Sequence, residues 1–216
     1  MFLRCVKTFG LLLLVPVGYG FTLLPLLLVW PYVQSEYLLP ALIAWAALYL
    51  LPFPFLLRCI LRRVWFFCGK GEPALQDLLE FTLLAVNDFP NPVAVRKKKN
   101  RMCISWRHDD PDWCPRMALA GMRKTYELHL ELLPAFRTVI MRDRVRHVNL
   151  ALCPLKVRSG LLSSARFFFR VQTGPQWTIK FFEQTPAADY RFRAQEIKSP
   201  VFNAILANGW NVRFDL

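Results

Sequence analysis

Two uncharged stretches near the start of the chain decide the fold: TFGLLLLVPVGYGFTLLPLLLVWPYVQS at residues 8–35 and YLLPALIAWAALYLLPFPFLL at residues 37–57. Glu36 alone separates them. About 20 apolar residues cross the hydrocarbon core of a bilayer as a helix, and each stretch supplies them. We predict a transmembrane helical hairpin within residues 1–68, with helices over about residues 9–30 and 38–60. Pro16, Pro25, Pro40, Pro52 and Pro54 lie inside these helices or near their ends.

The basic residues around this hairpin predict its orientation. Arg4 and Lys7 precede it, and Arg58, Arg62, Arg63 and Lys70 follow it, whereas the connection carries only Glu36. The positive-inside rule therefore places both termini in the cytoplasm, in a multi-pass protein of the inner (cytoplasmic) membrane. A cleaved signal peptide is the alternative for the first stretch, but the apolar run continues past any cleavage point and contains no A-x-A. Under either topology the larger domain lies inside the cell.

The hairpin itself resembles an anchor more than a pathway. Neither predicted helix has an ionisable residue in its central part, where a transporter or a charge-lined pore would need one. The chemistry of the protein is therefore expected in residues 69–216, which we predict to be a cytoplasmic α+β domain. From residue 64 onward there are 23 basic and 14 acidic residues, a net charge of +9. Such a domain favours anionic partners or is simply well solvated.

The six cysteines show neither a regular spacing nor a CxxC pair: Cys5, Cys59, Cys68, Cys103, Cys114 and Cys153. In a cytoplasmic domain we expect them to be free thiols rather than a disulfide framework. Cys103, His108, Asp109, Asp110, Asp112 and Cys114 form a metal-capable segment. Its C-x4-H-x5-C spacing is not a zinc pattern, so we predict neither a metal nor another cofactor.

Helical spacing marks the start of the second domain. Gly69-Lys70-Gly71 indicates a flexible break, and Glu72-Pro73 suits a helix start. Apolar residues then recur with a helical period from Leu75 to Val86, until a breaker cluster at residues 88–92. Residues 117–122 predict a short helical turn ending at Gly121.

Alternating patterns after residue 92 predict a mostly antiparallel sheet of six to eight strands with two or three short helices on one face. Residues 93–106 form a hairpin, residues 125–133 form a strand, and residues 137–152 form one or two strands. Arg142, Arg144 and Arg146 are expected opposite Glu127 and Glu131. His129 and His147 are expected as a surface pair on adjacent strands, and Ser159-Gly160 as a turn.

The last 50 residues predict further strands and one helix. Phe167, Phe169 and Val171 alternate, and Trp177, Ile179 and Phe181 answer them across a turn at residues 173–175. Residues 185–189 suggest another turn, after which Tyr190, Phe192 and Ala194 alternate. Ser199-Pro200 resembles a helix start, Asn208-Gly209 its end, and Trp210, Val212 and Phe214 a final strand.

The sharpest charge feature is the tip of the first hairpin, which carries Arg96, Lys97, Lys98, Lys99 and Arg101. Together with Arg62 and Arg63 these residues are our candidates for contact with a membrane surface or another anion. The alternative to a binding role is that the tip is simply a solvated turn. The aromatic residues of the strands are expected in the core rather than as base-stacking platforms.

No catalytic signature appears: the sequence contains no Walker loop, no GxGxxG and no GxSxG. We therefore expect a non-enzymatic integral membrane protein whose cytoplasmic domain is an interaction module for a protein partner or the membrane surface, as an accessory subunit or immunity-type protein. One alternative is a membrane-tethered enzyme acting on a lipid or a polyanion. Another is a membrane-tethered nucleic-acid binder, which is less favoured.

Overall fold

The computed structural model describes residues 2–32, 35–153, 156–164, 171–184 and 190–215. The chain divides into two compact units, Met1–Trp65 and Phe66–Leu216. We call them the helical unit and the α+β unit. The predicted strand around Phe167 and Phe169, and the predicted turn at residues 185–189, lie outside the described residues.

The described part of the helical unit contains three α-helices: α1 (Phe2–Val29), α2 (Ser35–Leu50) and α3 (Phe53–Val64). The helix predicted over 38–60 is divided at Pro52, whose missing N–H cannot continue the helical hydrogen bonding. Two segments, Leu3–Pro25 and Leu39–Val64, are long and apolar enough to cross a membrane. Their composition and length agree with the two predicted spans.

Aromatic contacts hold α1 against α2. The ring of Tyr19 lies 4.8 Å from that of Trp45 and 4.6 Å from that of Tyr49. The Tyr19 hydroxyl donates to the Trp45 carbonyl at 3.0 Å, and the Trp45 indole donates to Thr22 at 3.1 Å. Many large apolar side chains of these helices, including Phe21, remain exposed within the chain.

Among its described residues, the α+β unit contains a seven-stranded sheet and three α-helices. Its strands are β1 (Phe66–Phe67), β2 (Val93–Lys98), β3 (Arg101–Trp106), β4 (Lys124–Leu133), β5 (Thr138–Leu152), β6 (Lys156–Ser164) and β7 (Asn211–Asp215); its helices are α4 (Gln76–Leu84), α5 (Cys114–Leu119) and α6 (Ala194–Ala207). The strand order is β1-β7-β5-β4-β3-β2, with β6 also pairing with β5. Every described pairing is antiparallel except that of β5 with β7. The predicted α+β class with a mostly antiparallel sheet is confirmed.

Helices α4 and α6 pack on one face of this sheet, which we call the covered face. Alternation places Ile104, Leu128 and Val212 on it, each fully buried. Leu79 and Leu83 of α4 and Ile197, Val201, Phe202 and Ile205 of α6 are also fully buried. Phe67, Phe202 and Phe214 add a cluster of ring contacts. This interface is the core of the unit.

The long segment 137–152 forms one strand, β5, with shifts in its register to β6. The strand predicted over residues 125–133 is confirmed as β4, and the predicted final strand as β7. The hairpin predicted over residues 93–106 is confirmed as β2–β3. Ser159-Gly160 is not a turn, because both residues lie within β6. A Cβ atom on Gly160 would lie 3.3 Å from the Cβ of His147, so glycine suits this close pairing.

The C-terminal predictions were wrong in three places. Ile179–Glu183 is a 3₁₀ helix rather than a strand, and its Phe181 lies 4.9 Å from the ring of Trp177 four residues earlier. Residues 190–193 are not a strand. Helix α6 begins at Ala194 rather than Ser199, because the Glu196 carboxylate accepts from the Arg193 backbone N–H at 3.3 Å. Ser199 instead accepts from the backbone of Gln172.

The glycine-rich segment after β1 is held in place rather than being a flexible break. The backbone N–H of Gly69 donates to the Asn211 side chain at 3.0 Å, and that of Lys70 donates to the Leu206 carbonyl at 2.7 Å. A Cβ atom on Gly69 would lie 2.3 Å from the backbone of Gly209, so these two segments of the chain are in direct backbone contact. Helix α4 accordingly starts at Gln76, later than the predicted start at Pro73.

The prediction of free thiols fails for one pair of cysteines. Cys114, at the start of α5, is bonded to Cys153, just after β5, with their Cα atoms 6.0 Å apart. The reason is spatial: α5 packs against β5, so two residues 39 positions apart become neighbours. Cys5, Cys59, Cys68 and Cys103 are free.

Candidate functional site on the open face of the sheet

The second face of the sheet, which we call the open face, carries most of the charged side chains of the strands. Cys103 and His129 face each other on it, one residue away from the covered-face pair Ile104 and Leu128. Strand alternation places the following residues on this face: Arg96 and Lys98 of β2, Arg101 and Cys103 of β3, Glu127, His129 and Glu131 of β4, and Arg142, Arg144 and Arg146 of β5. The predicted basic face is therefore present.

One ion-pair network on the open face centres on Arg142. Its guanidinium lies 2.7 Å from the Glu131 carboxylate and 3.1 Å from that of Asp215 on β7. Arg101 approaches Glu131 at 3.4 Å. Burial would raise the pKa of Glu131, but the bonds and charge of Arg142 outweigh it and lower that pKa. The network ties β3, β4, β5 and β7 together across the face.

A second cluster on the same face joins Cys103, Glu127, His129 and Arg146. The Cys103 Sγ lies 3.7 Å from His129 Nε2 and 3.9 Å from Glu127 Oε2, and these last two atoms are 3.0 Å apart. Arg146 Nε donates to Glu127 Oε1, and a second guanidinium nitrogen lies 3.3 Å from Oε2. With the Arg142–Glu131 pair, this contact confirms the predicted ion pairing between β4 and β5.

The cluster shifts the protonation of its members. Burial alone would raise the pKa of Glu127, but hydrogen bonds from His129 and Arg146 outweigh it and lower that pKa to about 2. The neighbouring Cys103 and Glu127 raise the pKa of His129 to about 9, against the opposing effect of burial. At neutral pH and without a bound ion, the cluster therefore holds a carboxylate against an imidazolium.

The structure divides the predicted basic tip between different surroundings. Arg96 pairs with Asp109 at 2.6 Å and Arg101 with Glu131, both on the exposed surface. Lys97 turns to the other side of β2 and pairs with the buried carboxylate of Glu80. Lys98 and Lys99 are exposed, and Lys99 has a positive φ of 54° at the turn. In the helical unit, Arg62 and Arg63 lie in the last turn of α3.

The metal-capable segment from Cys103 to Cys114 does not converge. Cys114 is in the disulfide, and His108 is buried with Nδ1 3.0 Å from the Trp106 carbonyl. Asp109 instead pairs with Arg96. The predicted pair of histidines is wrong as well, because His129 faces Arg142 on β5 whereas His147 faces Lys124.

The grouping of Cys103 with Glu127 and His129 was missed by the sequence reasoning. The alternation of β4 puts Glu127 and His129 on one face, and that of β3 puts Cys103 on one face. Only the register between the two strands makes them neighbours, and a slip of one residue would send Cys103 to the opposite face. The one way to find this group from the sequence was to test every allowed register of neighbouring strands for a cysteine opposite a histidine.

A polar cluster on the covered face was also missed. The Asp143 carboxylate accepts from the Tyr126 hydroxyl and lies 2.6 Å from the Lys198 ammonium of α6. All three side chains are buried. Burial lowers the pKa of Lys198 against the opposing charge of Asp143, and burial with that charge raises the pKa of Tyr126.

Among the cavities lined by described residues of the α+β unit, two of the larger ones lie away from the open-face cluster. One, of about 670 Å³, is lined by Met122, His147 and Leu150 among others. The other, of about 480 Å³, lies between Trp106, Tyr126 and Phe192. Neither brings together an acid, a base and a nucleophile among the described residues.

Comparison with protein-family models, with curated proteins and with solved structures finds no match to this chain. The open face is therefore the feature of the α+β unit from which a function can be inferred.

Proposed function

We propose that this chain is a non-enzymatic membrane protein whose α+β unit binds an acidic surface of a protein partner through the open face. The apolar segments Leu3–Pro25 and Leu39–Val64 are its anchor. Their flanking basic residues favour an inner-membrane location with both termini in the cytoplasm, although the Cys114–Cys153 disulfide is a bond more typical of an oxidising compartment. The single observation that carries the proposal is the difference in solvent exposure between basic and acidic side chains on the open face.

On that face the most exposed charged side chains of the strands are basic, whereas the carboxylates of Glu127 and Asp215 lie beneath them. Glu131 is 25% exposed, and the exposed Asp109 pairs with Arg96. The side chains of Arg96 and Arg101 are 59% and 72% exposed, whereas those of Glu127 and Asp215 are 5% and 2% exposed. An approaching molecule therefore meets guanidinium and ammonium groups. Such a surface steers and orients an acidic partner, and arginine is enriched at protein interfaces.

The open face is better suited to a protein than to nucleic acid. Strands β2–β5 are fully described and contain two Trp, Tyr or Phe residues, Trp106 and Tyr126. Both are buried toward the covered face, as expected from the sequence. Single-stranded nucleic acids bind best where exposed rings stack on the bases, and β2–β5 offer none.

The test is co-purification of the tagged full-length protein from its own membranes in mild detergent. We expect a stoichiometric protein to accompany the wild type and to be lost from a Lys98→Glu/Arg144→Glu variant. Lys124→Glu/Lys180→Glu is the matched control, because these exposed lysines make the same charge change away from the open face. A monomer without a partner, or a partner retained equally by both variants, would contradict the proposal.

Two further measurements separate the alternatives. If the Lys98→Glu/Arg144→Glu variant lost binding to anionic vesicles and no partner co-purified with the wild type, the open face would be assigned to the membrane surface instead. Binding to DNA with a log–log salt slope of several units would assign it to nucleic acid.

The exposed thiol of Cys68 reports the topology: an impermeant maleimide should label it in inverted vesicles and not in right-side-out ones.

A further inference from the structure

The donor atoms of Cys103, Glu127 and His129 converge on one point above the open face. The three atoms, Sγ, Oε2 and Nε2, are separated by 3.7 Å (sulfur to nitrogen), 3.9 Å (sulfur to oxygen) and 3.0 Å (nitrogen to oxygen). A tetrahedral zinc ion with bonds of about 2.0–2.3 Å holds its ligand atoms about 3.3–3.6 Å apart. The observed triangle thus differs from a zinc-binding triangle by only a few tenths of an ångström.

We propose that Cys103, Glu127 and His129 bind a zinc-class divalent cation, leaving its fourth position open to solvent. Thiolate, imidazole and carboxylate are the three side-chain ligand types that zinc prefers. The forms that bind the metal are the Cys103 thiolate and the neutral His129 imidazole, each through a lone pair. The thiolate and the carboxylate then balance the two positive charges of the ion.

Arg146 supplies the outer contact that such a site needs. Its Nε donates to Glu127 Oε1, and a second guanidinium nitrogen lies 3.3 Å from Oε2, the oxygen that is directed at His129 and Cys103. Outer hydrogen bonds of this kind fix the orientation of a ligating carboxylate. Because the bound ion would be neutralised by its ligands, the guanidinium would lie beside a neutral centre rather than a dication.

The same atoms are poorly arranged for a catalytic cysteine. In a nucleophile–histidine–carboxylate triad, the carboxylate holds the ring nitrogen that faces away from the nucleophile. Here Glu127 and Cys103 both approach Nε2 of His129. Three donors around one point are the arrangement of a metal site.

The site is accessible from solution. The His129 side chain is 37% exposed and Cys103 is half-buried, whereas Glu127 is buried behind them. Three protein ligands and one open position are typical of zinc sites at which water or an external group completes the coordination. A carboxylate from an acidic partner is the chemistry that would complete this one, although metal binding itself does not depend on the proposed partner.

The test is titration of the full-length, chelator-treated protein in detergent with Co²⁺ as the spectroscopic probe. We expect one Co²⁺ per chain, a near-ultraviolet thiolate charge-transfer band and intense visible bands of tetrahedral cobalt, all removed by Zn²⁺ and not by Mg²⁺. Absence of the thiolate band from the wild type would overturn the proposal.

Variants assign the ligands. Cys103→Ser should abolish the charge-transfer band, His129→Gln should weaken Co²⁺ binding at least tenfold, and Arg146→Gln should weaken it about 10- to 100-fold. Cys68→Ser and His147→Gln are the matched controls, because both residues are exposed outside the cluster. A band retained by Cys103→Ser, or lost equally from both controls, would overturn the assignment.

A measurement on the wild type keeps the test independent of folding in the variants. Zn²⁺ should slow alkylation of Cys103 by iodoacetamide at least tenfold while Cys68 reacts at an unchanged rate, as read by peptide mass spectrometry. Equal alkylation of Cys103 with and without Zn²⁺ would overturn the proposal.

Discussion

The two faces of one sheet handle charge in opposite ways. On the covered face, Asp143 and Lys198 form an ion pair that is completely enclosed, with Lys198 also 4.3 Å above the Phe214 ring. On the open face, Arg142 and Arg146 hold the buried carboxylates of Asp215 and Glu127 but remain about one-third exposed. An enclosed pair serves the fold alone, whereas a half-exposed one can also meet a ligand. The predictions below test this contrast.

Breaking the enclosed pair should produce the largest effect. Asp143→Ala leaves the Lys198 ammonium buried without its carboxylate and removes the acceptor of the Tyr126 hydroxyl. Removing one partner of a buried pair typically costs about 3–5 kcal/mol in the free energy of unfolding. Urea unfolding of the full chain in detergent, followed by the tryptophan signal, measures this loss.

A double variant separates charge from packing at that position. Asp143→Leu with Lys198→Met replaces the pair by apolar groups and should recover part of the lost stability. The desolvation cost of the unpaired ammonium disappears, whereas the Tyr126 hydroxyl still lacks its Asp143 acceptor. A loss below about 1 kcal/mol for Asp143→Ala would show that water reaches the pair, and the contrast between the two faces would fail.

The edge of the covered face should show an intermediate effect that depends on pH. Burial would raise the pKa of Glu80, but its bonds to Gln76 and Lys97 and the charge of Lys97 lower it below its ordinary value of 4.5. A carboxyl whose pKa is lowered by folding stabilises the fold above its unfolded pKa. This contribution is lost as the pH falls below about 4.5 toward the lowered folded value.

Lys97→Met tests that linkage. The variant should be less stable than the wild type by about 1 kcal/mol at pH 7, since the ammonium is partly exposed and its pairing is screened. The difference should shrink as the pH falls below about 4.5, because Glu80 becomes protonated. Lys98→Met, one residue along the strand, is the control. A difference that is constant from pH 7 to pH 3 would contradict the assigned role of Glu80.

The sequence predicted those elements whose patterns are local. Leu128 and Leu130 alternate with Glu127 and His129, which predicted β4 and the side of it that is charged. The α+β class follows from such patterns, because alternation and helical spacing are read within ten residues. Residues 177–181 show the limit of such local patterns. Trp177, Ile179 and Phe181 alternate as in a strand, but Ile179–Glu183 is a 3₁₀ helix and the Phe181 ring packs against that of Trp177.

The candidate site was not predictable in the same way, because it depends on distant pairing. Cys103 meets His129 only through the β3–β4 register, and Arg146 reaches Glu127 only through that of β4 and β5. The disulfide of Cys114 with Cys153 likewise depends on α5 packing against β5. The contiguous basic run is divided by the same geometry, because neighbours in sequence point to opposite faces of a strand: Arg96 and Lys98 lie on the open face, whereas Lys97 pairs with Glu80.

The smallest effect on stability is expected at the exposed tip, from Lys98→Glu combined with Lys99→Glu. Neither lysine has a described ion-pair partner, so the free energy of unfolding should change by no more than about 0.5 kcal/mol. Lys97→Glu is the adjacent comparison, because it places a second carboxylate beside Glu80 and should destabilise the protein measurably. If the tip variant lost as much stability as Lys97→Glu, its lysines would be structural. Unchanged stability with weakened binding to the partner or to anionic vesicles would instead show that these exposed charges contribute to binding and not to the stability of the fold.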